Sequence, residues 1–260
     1  MSARDSILLI GTGRLAFHLG HALVRAGASL AGIAGRHAER TQILARALRT
    51  TPYTIDEAWP EVGLYLLTVS DDAIPSLATR ITPRDAVVAH TSGAQALDRL
   101  APHLHRGVLW PVQSFSPGEP ADLTRTPIVV DGNTEKATTL LLDVARSLSG
   151  NVVRLPLEQR RTVHLAAVFA SNFPVFLLHE AQRLLRQEGL DPDILLPLWS
   201  SVAQKAALVG PGDALTGPAR RGDTTTVQRH LDQLTHDADL RRAYALLSEM
   251  IGKRFGPHRE

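Results

Sequence analysis

The sequence predicts an α/β domain with a mostly parallel sheet, followed by an all-α domain. Up to about residue 155, short runs rich in aliphatic and β-branched residues alternate with amphipathic helical stretches, which is the pattern of βαβ units. Beyond that point no such run recurs, and the apolar residues follow helical spacing. We therefore assign residues 1–155 to the first domain and residues 156–260 to the second.

Seven short apolar runs in the first domain are predicted β-strands. Continuous apolar character is typical of strands that a parallel sheet buries on both faces. The runs are Ile7–Ile10, Ser29–Ala34, Leu64–Val69, Ala86–Ala89, Val108–Trp110, Ile128–Val130 and Val152–Leu155.

The second domain begins with a long helical pattern, Leu157–Glu188. We expect Pro174 to kink or break it, because proline lacks the amide hydrogen that the helix needs, and Gly189 to end it. Asp191 followed by proline is a good start for the next helix, which should end at Gly210. Two further amphipathic helices, near 224–235 and 237–252, follow the loop Pro211–Asp223.

Composition excludes several classes of protein. Of the 260 residues, 44% are hydrophobic and 21% are charged, which is typical of a folded globular protein. The absence of cysteine excludes a thiol nucleophile, disulfides and thiolate metal sites. The net charge of +2 gives no indication of a nucleic-acid partner. No metal site is predicted, because two close histidine pairs lack a third ligand: His18 with His21, and His103 with His105.

The longest nearly apolar stretch, Val163–Leu178, is shorter than a bilayer span of about 20 residues. It also contains His164, Asn172 and Pro174. We therefore expect a buried helix and no membrane association. The N-terminal residues lack a long apolar region followed by small cleavage-site residues, so we expect a cytoplasmic protein.

Residues 11–16 read Gly-Thr-Gly-Arg-Leu-Ala, a G-x-G-x-x-A motif between a predicted strand and an amphipathic helix. Gly11 permits the tight turn, Gly13 lets the backbone approach a pyrophosphate, and Ala16 lets the helix pack closely on the sheet. The helix N-terminus would face the anion. The motif predicts a Rossmann-type domain that binds a dinucleotide. The alternative is a glycine turn in an unrelated α/β protein.

The end of the second strand indicates which dinucleotide is bound. An acidic residue there would accept hydrogen bonds from both adenosine ribose hydroxyls, as in NAD enzymes. This chain has Gly35-Arg36-His37, and the first carboxylate is Glu39. An arginine can pair with a 2′-phosphate through its planar fork, which favours NADP. The alternative is that Arg36 is a solvated loop residue.

Six segments together carry a family resemblance. The chain resembles the superfamily that contains pyrroline-5-carboxylate reductase, ketopantoate reductase and the 6-phosphogluconate dehydrogenases. Within it the chain is most similar to a bacterial group of Rossmann-like proteins with a helical C-terminal domain of unknown function. The segments are Gly11–Gly13, Ser70–Ile74, His90–Ala94, Trp110–Phe115, Ala170–Pro174 and Leu215–Asp223.

The resemblance implies a Rossmann-type sheet extended to about eight strands, and an all-α C-terminal domain that forms a homodimer by packing long helices together. The long helical pattern independently favours a dimer. Its apolar residues, Phe169, Phe173 and Phe176 among them, lie on more than one face, which one neighbouring sheet cannot cover.

Two polar segments follow predicted strands, where ligands bind in open α/β sheets. Ser70 and Asp71 follow one strand, and His90, Thr91 and Ser92 follow the next. The latter three are candidates for contacts with the nicotinamide ribose, the carboxamide or a substrate carbonyl. The alternative is ordinary turn chemistry, with His90 capping the strand exit.

Ser171 and Asn172 are polar groups in an apolar run, and a buried amide needs partners or a ligand. In the resembled families a helix at this point faces the nicotinamide and supplies polar groups to the substrate. Several members place a catalytic lysine one turn before an asparagine, where this chain has Val168. His164, two turns back, could serve as the acid if it shares a face with Asn172. The alternative is a histidine whose partners lie at the domain interface.

The segment Thr216–Thr226 corresponds to a loop that holds a substrate carboxylate in pyrroline-5-carboxylate reductases. In this chain Arg220 or Arg221 could clamp a carboxylate, and the amides at Thr224 could supply the positive end of a helix. Alternatively the arginines are solvated and Asp223 is simply a helix N-cap.

Together these observations predict an NADP-dependent oxidoreductase that transfers hydride to or from a small carboxylate-bearing carbonyl, imine or alcohol. Alternatives are a non-catalytic dinucleotide sensor and an NADP:deazaflavin oxidoreductase. The predicted cofactor-binding residues are Gly11, Thr12, Gly13, Arg14, Leu15, Gly35, Arg36, His37, Ser70, Asp71, His90 and Thr91. The predicted catalytic residues are Asn172, His164 and Ser92, and the predicted substrate-binding residues are Ser171, Arg220 and Thr224.

Overall fold

The computed structural model describes residues 6–82 and 85–257. The chain divides into two compact units, one up to Pro174 and one from Val175 onward.

The first unit contains one eight-stranded sheet in the order β3-β2-β1-β4-β5-β6-β7-β8. Neighbouring strands are parallel except for the antiparallel pair β6 and β7. The predicted mostly parallel Rossmann-type sheet is confirmed, and β3 is a short edge strand that the sequence patterns did not reveal. The strands are β1 Ser6–Ile10, β2 Ser29–Gly35, β3 Pro52–Thr54, β4 Leu64–Leu67, β5 Val87–His90, β6 His105–Pro111, β7 Ile128–Gly132 and β8 Val152–Arg154.

The two faces of the sheet have separate apolar cores, because successive side chains of a strand point to opposite faces. On β1, Ile7 and Leu9 pack with one cluster, and Leu8 and Ile10 pack with the other. Helices cover both faces. They are α1 Arg14–Arg25, α2 Ala38–Leu48, α3 Ile74–Ala78 and α4 Glu135–Leu148.

A helical run of 31 residues, Leu157–Gln187, follows the sheet. It consists of α5 Leu157–Ala167, a π-helical segment Val168–Asn172 and α6 Phe173–Gln187. The predicted break at Pro174 is therefore a local widening of the helix. Proline cannot donate to the ladder and its ring crowds the carbonyl four residues earlier, so a wider turn directly before Pro174 reduces the crowding.

This helical run is exposed, so the expectation of a buried helix was wrong for the single chain. Phe169 is 62% exposed, and Leu165 and Val175 are each 61% exposed. By length and composition alone the run could cross a membrane.

The second unit contains five further helices among the described residues. Asp223 caps α10 by accepting a hydrogen bond from the Thr226 amide at 3.0 Å, as predicted. Asp237 likewise caps α11 through the Leu240 amide at 2.9 Å. Two short helices interrupt the predicted loop Pro211–Asp223. The helices are α7 Leu196–Val209, α8 Pro211–Ala214, α9 Pro218–Arg221, α10 Thr224–Gln233 and α11 Ala238–Phe255.

Candidate functional site

The glycine-rich turn connects β1 to α1 with two glycines that serve different purposes. Gly11 has φ +127°, and a Cβ there would lie 2.4 Å from the Thr68 carbonyl oxygen. Gly13 has φ −80°, and no protein atom lies within 4 Å of the Cβ that it lacks. Packing within the protein therefore requires glycine at position 11 only. The open space at Gly13 is where a pyrophosphate can approach the backbone at the start of α1.

A cleft of about 440 Å³ lies beside this turn, at the carboxyl ends of β1, β2 and β4. Strand order reverses between β1 and β4, and ligands bind at such a switch point in open α/β sheets. The cleft is lined by Gly11, Thr12, Gly13, Gly35, Arg36, His37 and Ser70, all predicted cofactor-binding residues.

Three basic side chains line the adenosine end of the cleft: Arg36, His37 and Arg40. All three are exposed, and neither guanidinium has an ion-pair partner among the described residues. No described carboxylate lines the cleft. This end of the site therefore presents free cationic donors to a ligand, which suits an anionic group such as a phosphate.

The other predicted residues of the turn have more local environments. The Leu15 side chain packs against the apolar core, which leaves only its backbone for a ligand. Arg14 is exposed in the first turn of α1 and lines a separate hollow with Ser116 and Gly118. A Cβ at Gly35 would come within 2.6 Å of both Thr41 and Thr12, so close packing requires that glycine.

The turns after β4 and β5 are joined by a side-chain hydrogen bond. Gln95 donates its amide to the Asp71 carboxylate at 2.9 Å. Asp71 follows Ser70, which lines the cleft, and Gln95 lies just beyond Ser92. The polar segments that follow β4 and β5 are therefore adjacent. The Asp71 carboxylate has a hydrogen-bond partner within the protein.

His90 is fully buried at the end of β5. Its Nδ1 accepts a hydrogen bond from the Ser92 amide at 3.2 Å. Burial, together with the nearby charge of Arg160, lowers the pKa of His90 to about 4. Thr91 is also buried, and its hydroxyl donates to the Leu67 carbonyl at 3.2 Å. Both side chains therefore support the turn, whereas Ser92 is partly exposed.

The indole of Trp110 on β6 lies directly behind the segment after β5. A Cβ at Gly93 would lie 2.8 Å from three atoms of that ring, so position 93 must be glycine. The His164 ring on α5 meets the same indole edge-on, with 5.7 Å between centroids. These contacts place His164 at the carboxyl edge of the sheet, close to the segment that carries Ser92.

Ser171 and Asn172 lie in the π-helical segment. The Ser171 hydroxyl donates to the Ala167 carbonyl at 2.8 Å, and it contacts the Asn172 amide oxygen at 3.0 Å. Asn172 is exposed, so the premise that this amide is buried was wrong. A regular α-helix would place residues 164 and 172 about 80° apart, but a π-turn absorbs one residue and reduces this to about 20°. We infer that His164 and Asn172 share one helix face.

Two predicted substrate contacts are used internally in the second unit. The Arg220 guanidinium donates to the Gly212 carbonyl and, at 2.9 Å, to the Leu215 carbonyl. It also lies over the Phe255 ring at 5.8 Å. The Thr224 amide donates to the Gly222 carbonyl at 2.9 Å. The roles of Arg220 and Thr224 as carboxylate binders stay predictions, because these contacts use only one nitrogen of the Arg220 guanidinium and one amide at the start of α10.

Comparisons with known proteins match this architecture. The profile of a Rossmann-like domain matches residues 1–113, and that of a domain of unknown function, DUF2520, matches residues 126–251. A structure from Bacteroides fragilis, described as a candidate NADP oxidoreductase, is 32% identical with a TM-score of 0.89, covering 97% of this chain and 100% of that one. The chain belongs to this oxidoreductase family.

Two further structures share the fold over nearly the whole chain. A Thermotoga maritima protein is 26% identical with a TM-score of 0.72, covering 95% of this chain and 97% of that one. A pyrroline-5-carboxylate reductase from Streptococcus pyogenes is 17% identical with a TM-score of 0.64, covering 97% and 100%. No curated protein sequence matches the chain. The family resemblance is confirmed, and the protein is an NAD(P)-dependent oxidoreductase.

Three residues of this region were missed by sequence reasoning. Arg40 lines the cleft from α2, Trp110 supports the Ser92 segment, and Arg160 is fully buried beneath it. Arg40 lies four residues after Arg36, and this spacing was the sequence signal that could have identified Arg40 as a cleft residue. An arginine on a predicted helix is usually solvated, so nothing marked Arg160.

Proposed function

We propose that this family member uses NADP and transfers hydride between the nicotinamide and a small carboxylate-bearing carbonyl, imine or alcohol. The observation that carries the proposal is the basic end of the cleft. Arg36 and Arg40 flank it without counter-charges among the described residues, whereas an NAD site needs a carboxylate there. A planar guanidinium binds a 2′-phosphate through two parallel hydrogen bonds.

The direction of the cofactor follows from the glycine-rich turn. With the pyrophosphate at Gly13 and the adenosine near Arg36, the nicotinamide end extends past Ser70 toward the carboxyl end of β5. Ser92 is partly exposed in that region, His164 is exposed and meets Trp110, and Asn172 is exposed eight residues after His164 on the same helical run. The cofactor supplies the hydride chemistry, and these side chains orient the substrate and handle its proton.

Within this arrangement Asn172 binds the reacting oxygen or nitrogen of the substrate, and His164 is the candidate acid. Both lie on one face of the α5 and π-helical run, and the Trp110 indole fixes the imidazole. The position one turn before Asn172 is Val168, so a lysine does not supply the proton there. A histidine suits this task because its ring nitrogens can hold and transfer a proton.

The carboxylate in the proposed substrate is supported by the exposed guanidinium of Arg161. It donates to the Ala94 carbonyl of the segment 92–95 and also pairs with the exposed Glu158 carboxylate. The Streptococcus pyogenes enzyme of the same fold is named for a carboxylate-bearing imine. Arg220 and the helix N-terminus at Thr224 remain proposed contacts for the same carboxylate.

The test is a turnover assay with NADPH and a panel of small 2-oxoacids, 3-oxoacids, cyclic imines and their esters, with an oxidised deazaflavin included. We expect NADPH oxidation with at least one acid, and a much higher KM for its methyl ester. Turnover of the ester without turnover of the acid would overturn the proposal that the substrate bears a carboxylate. Turnover of the deazaflavin alone would overturn the proposal that the substrate is a carbonyl, imine or alcohol.

We also propose that a second copy of the chain covers the exposed face of the 157–187 helical run. Leu165, Phe169 and Phe176 form an apolar surface there, and their exposure exceeds what a monomer normally leaves open. A membrane is a poorer occupant, because the same run carries Arg160, which is inserted beneath the sheet edge, and the ion pair of Arg183 with Glu180. The proposed assembly is a homodimer.

A further inference from the structure

Arg160 on α5 is the largest fully buried side chain among the described residues. Its guanidinium donates to the Gln95 carbonyl at 3.0 Å and makes longer contacts with the Gly93 and Ser92 carbonyls at 3.4 and 3.5 Å. A further contact of 3.5 Å reaches the Asp131 carboxylate on β7. One side chain therefore connects α5, β7 and the segment after β5.

The segment 92–95 needs such donors because it has no regular secondary structure apart from its turn. Its carbonyls lie inside the protein, where an unpaired polar group is costly. Only arginine offers five donors in a rigid fork that can serve several acceptors at once. Stability alone does not require this arrangement, since well-packed apolar residues often replace a buried ion pair without loss.

The same segment contacts the ends of two neighbouring strands. Gln95 reaches the Asp71 carboxylate beside the cleft, and Gly93 lies against the Trp110 indole. Ser92 is the partly exposed residue that faces the nicotinamide end. Arg36 and Arg40, in contrast, lie at the end of β2 and on α2, and two strands, β1 and β4, separate β2 from β5.

We propose that Arg160 is a positioning residue for the nicotinamide half of the site. It fixes the segment 92–95 against α5, so that Ser92 and the helix face of His164 keep a constant separation. The adenosine half does not depend on it. This inference rests on the proposed NADPH site and adds a residue that touches neither cofactor nor substrate.

The experiment compares Arg160→Met with Arg154→Met, an exposed arginine on β8 with no described polar contact. Adenosine 2′,5′-bisphosphate measures the adenosine half alone, and NADPH measures both halves. Energy transfer from tryptophan to bound NADPH reports the nicotinamide position, and Trp110→Phe identifies the part of that signal that comes from Trp110. Thermal unfolding establishes that each variant folds.

We expect Arg160→Met to bind adenosine 2′,5′-bisphosphate like the wild type. Its affinity for NADPH should fall about tenfold, the scale of one lost hydrogen-bonded contact, and the Trp110 energy transfer should decrease. Arg154→Met should change none of these. If Arg160→Met does not fold, Asp131→Asn is used instead, because it removes the negative charge that pairs with Arg160. This variant should weaken NADPH binding by a smaller factor than Arg160→Met would.

Equal weakening of both ligands by Arg160→Met, or of neither, would overturn the positioning role while leaving the NADPH site intact. Failure of the wild-type protein to bind NADPH would instead overturn the proposed function. The two failures are therefore distinguishable.

Discussion

A Cβ atom on Gly11 would lie 2.4 Å from the backbone oxygen of Thr68, the residue that follows β4. The backbone of the glycine-rich turn therefore approaches the end of the neighbouring strand closely. The Thr68 amide also donates to the Ile10 carbonyl at 2.7 Å. The start of the dinucleotide site is therefore part of the sheet itself. Gly13, two residues later, faces open space.

The two glycines should respond oppositely to substitution. Gly11→Ala adds an atom where none fits, at φ +127°, and should cost about 1–3 kcal/mol of folding free energy. The Cβ that Gly13→Val adds has no protein atom within 4 Å, so this substitution should leave the unfolding midpoint nearly unchanged while abolishing NADPH binding. Urea denaturation and NADPH titration of both variants check this. A Gly13→Val protein that binds NADPH normally would contradict the placement of the pyrophosphate.

Asn172→Ala should reduce turnover without weakening NADPH binding. The side chain is exposed and its described contact is with its neighbour Ser171, so its loss removes a substrate contact only. We expect kcat/KM to fall about tenfold or more, since a transition-state contact is lost. Thr162→Ala, an exposed residue of α5, is the matched control. Unchanged turnover, or weaker NADPH binding in Asn172→Ala alone, would show that Asn172 has another role.

His90 should make the stability of the protein depend on pH. Its pKa is lowered from 6.5 to about 4 in the folded state, chiefly by burial. The unfolded chain therefore binds more protons between these values, and stability is present above pH 6.5 and falls as the pH approaches 4. The loss attributable to His90 is about 3 kcal/mol.

The His90→Asn variant tests this assignment. The asparagine amide oxygen can accept the hydrogen of the Ser92 amide, and the asparagine side chain does not titrate. We expect the variant to lose less stability than the wild type across the same pH range in urea denaturation. Parallel losses in both proteins would assign the pH dependence to carboxylates elsewhere.

The proposed homodimer should be sensitive to charge on the exposed helical run. Phe169→Glu places a carboxylate on that surface and should yield a monomer of 28.2 kDa in light scattering, whereas we expect twice that mass for the wild type. Leu104→Glu, at a 62% exposed position before β6, should remain dimeric. A wild-type monomer at micromolar concentration would refute the interface.

The sequence was sufficient to predict the sheet and the glycine-rich turn, because both depend on local patterns of residues. Apolar runs and the spacing of Gly11, Gly13 and Ala16 are set within a few residues of the chain. β3 was missed since Pro52–Thr54 is a three-residue edge strand that begins with proline and has no apolar run.

The remaining features depend on tertiary contacts. Arg160 and Arg220 carry the same charge as any surface arginine, and only the folded chain shows which internal carbonyls their guanidinium groups contact. The exposure of Asn172 likewise could not be read from its apolar neighbours, because the same pattern suits a core helix and an interface between copies.

The most direct test of the account is the preference for NADPH over NADH and its dependence on Arg36 and Arg40. Each charge-assisted contact with a 2′-phosphate contributes about 1.5–3 kcal/mol, so NADPH should bind at least tenfold more tightly. Titration of both cofactors should show this preference in the wild type and in Arg46→Ala, on the same helix, and its loss in Arg36→Ala with Arg40→Ala. Equal binding of NADH and NADPH by the wild type, or a preference that survives the double substitution, would contradict the account.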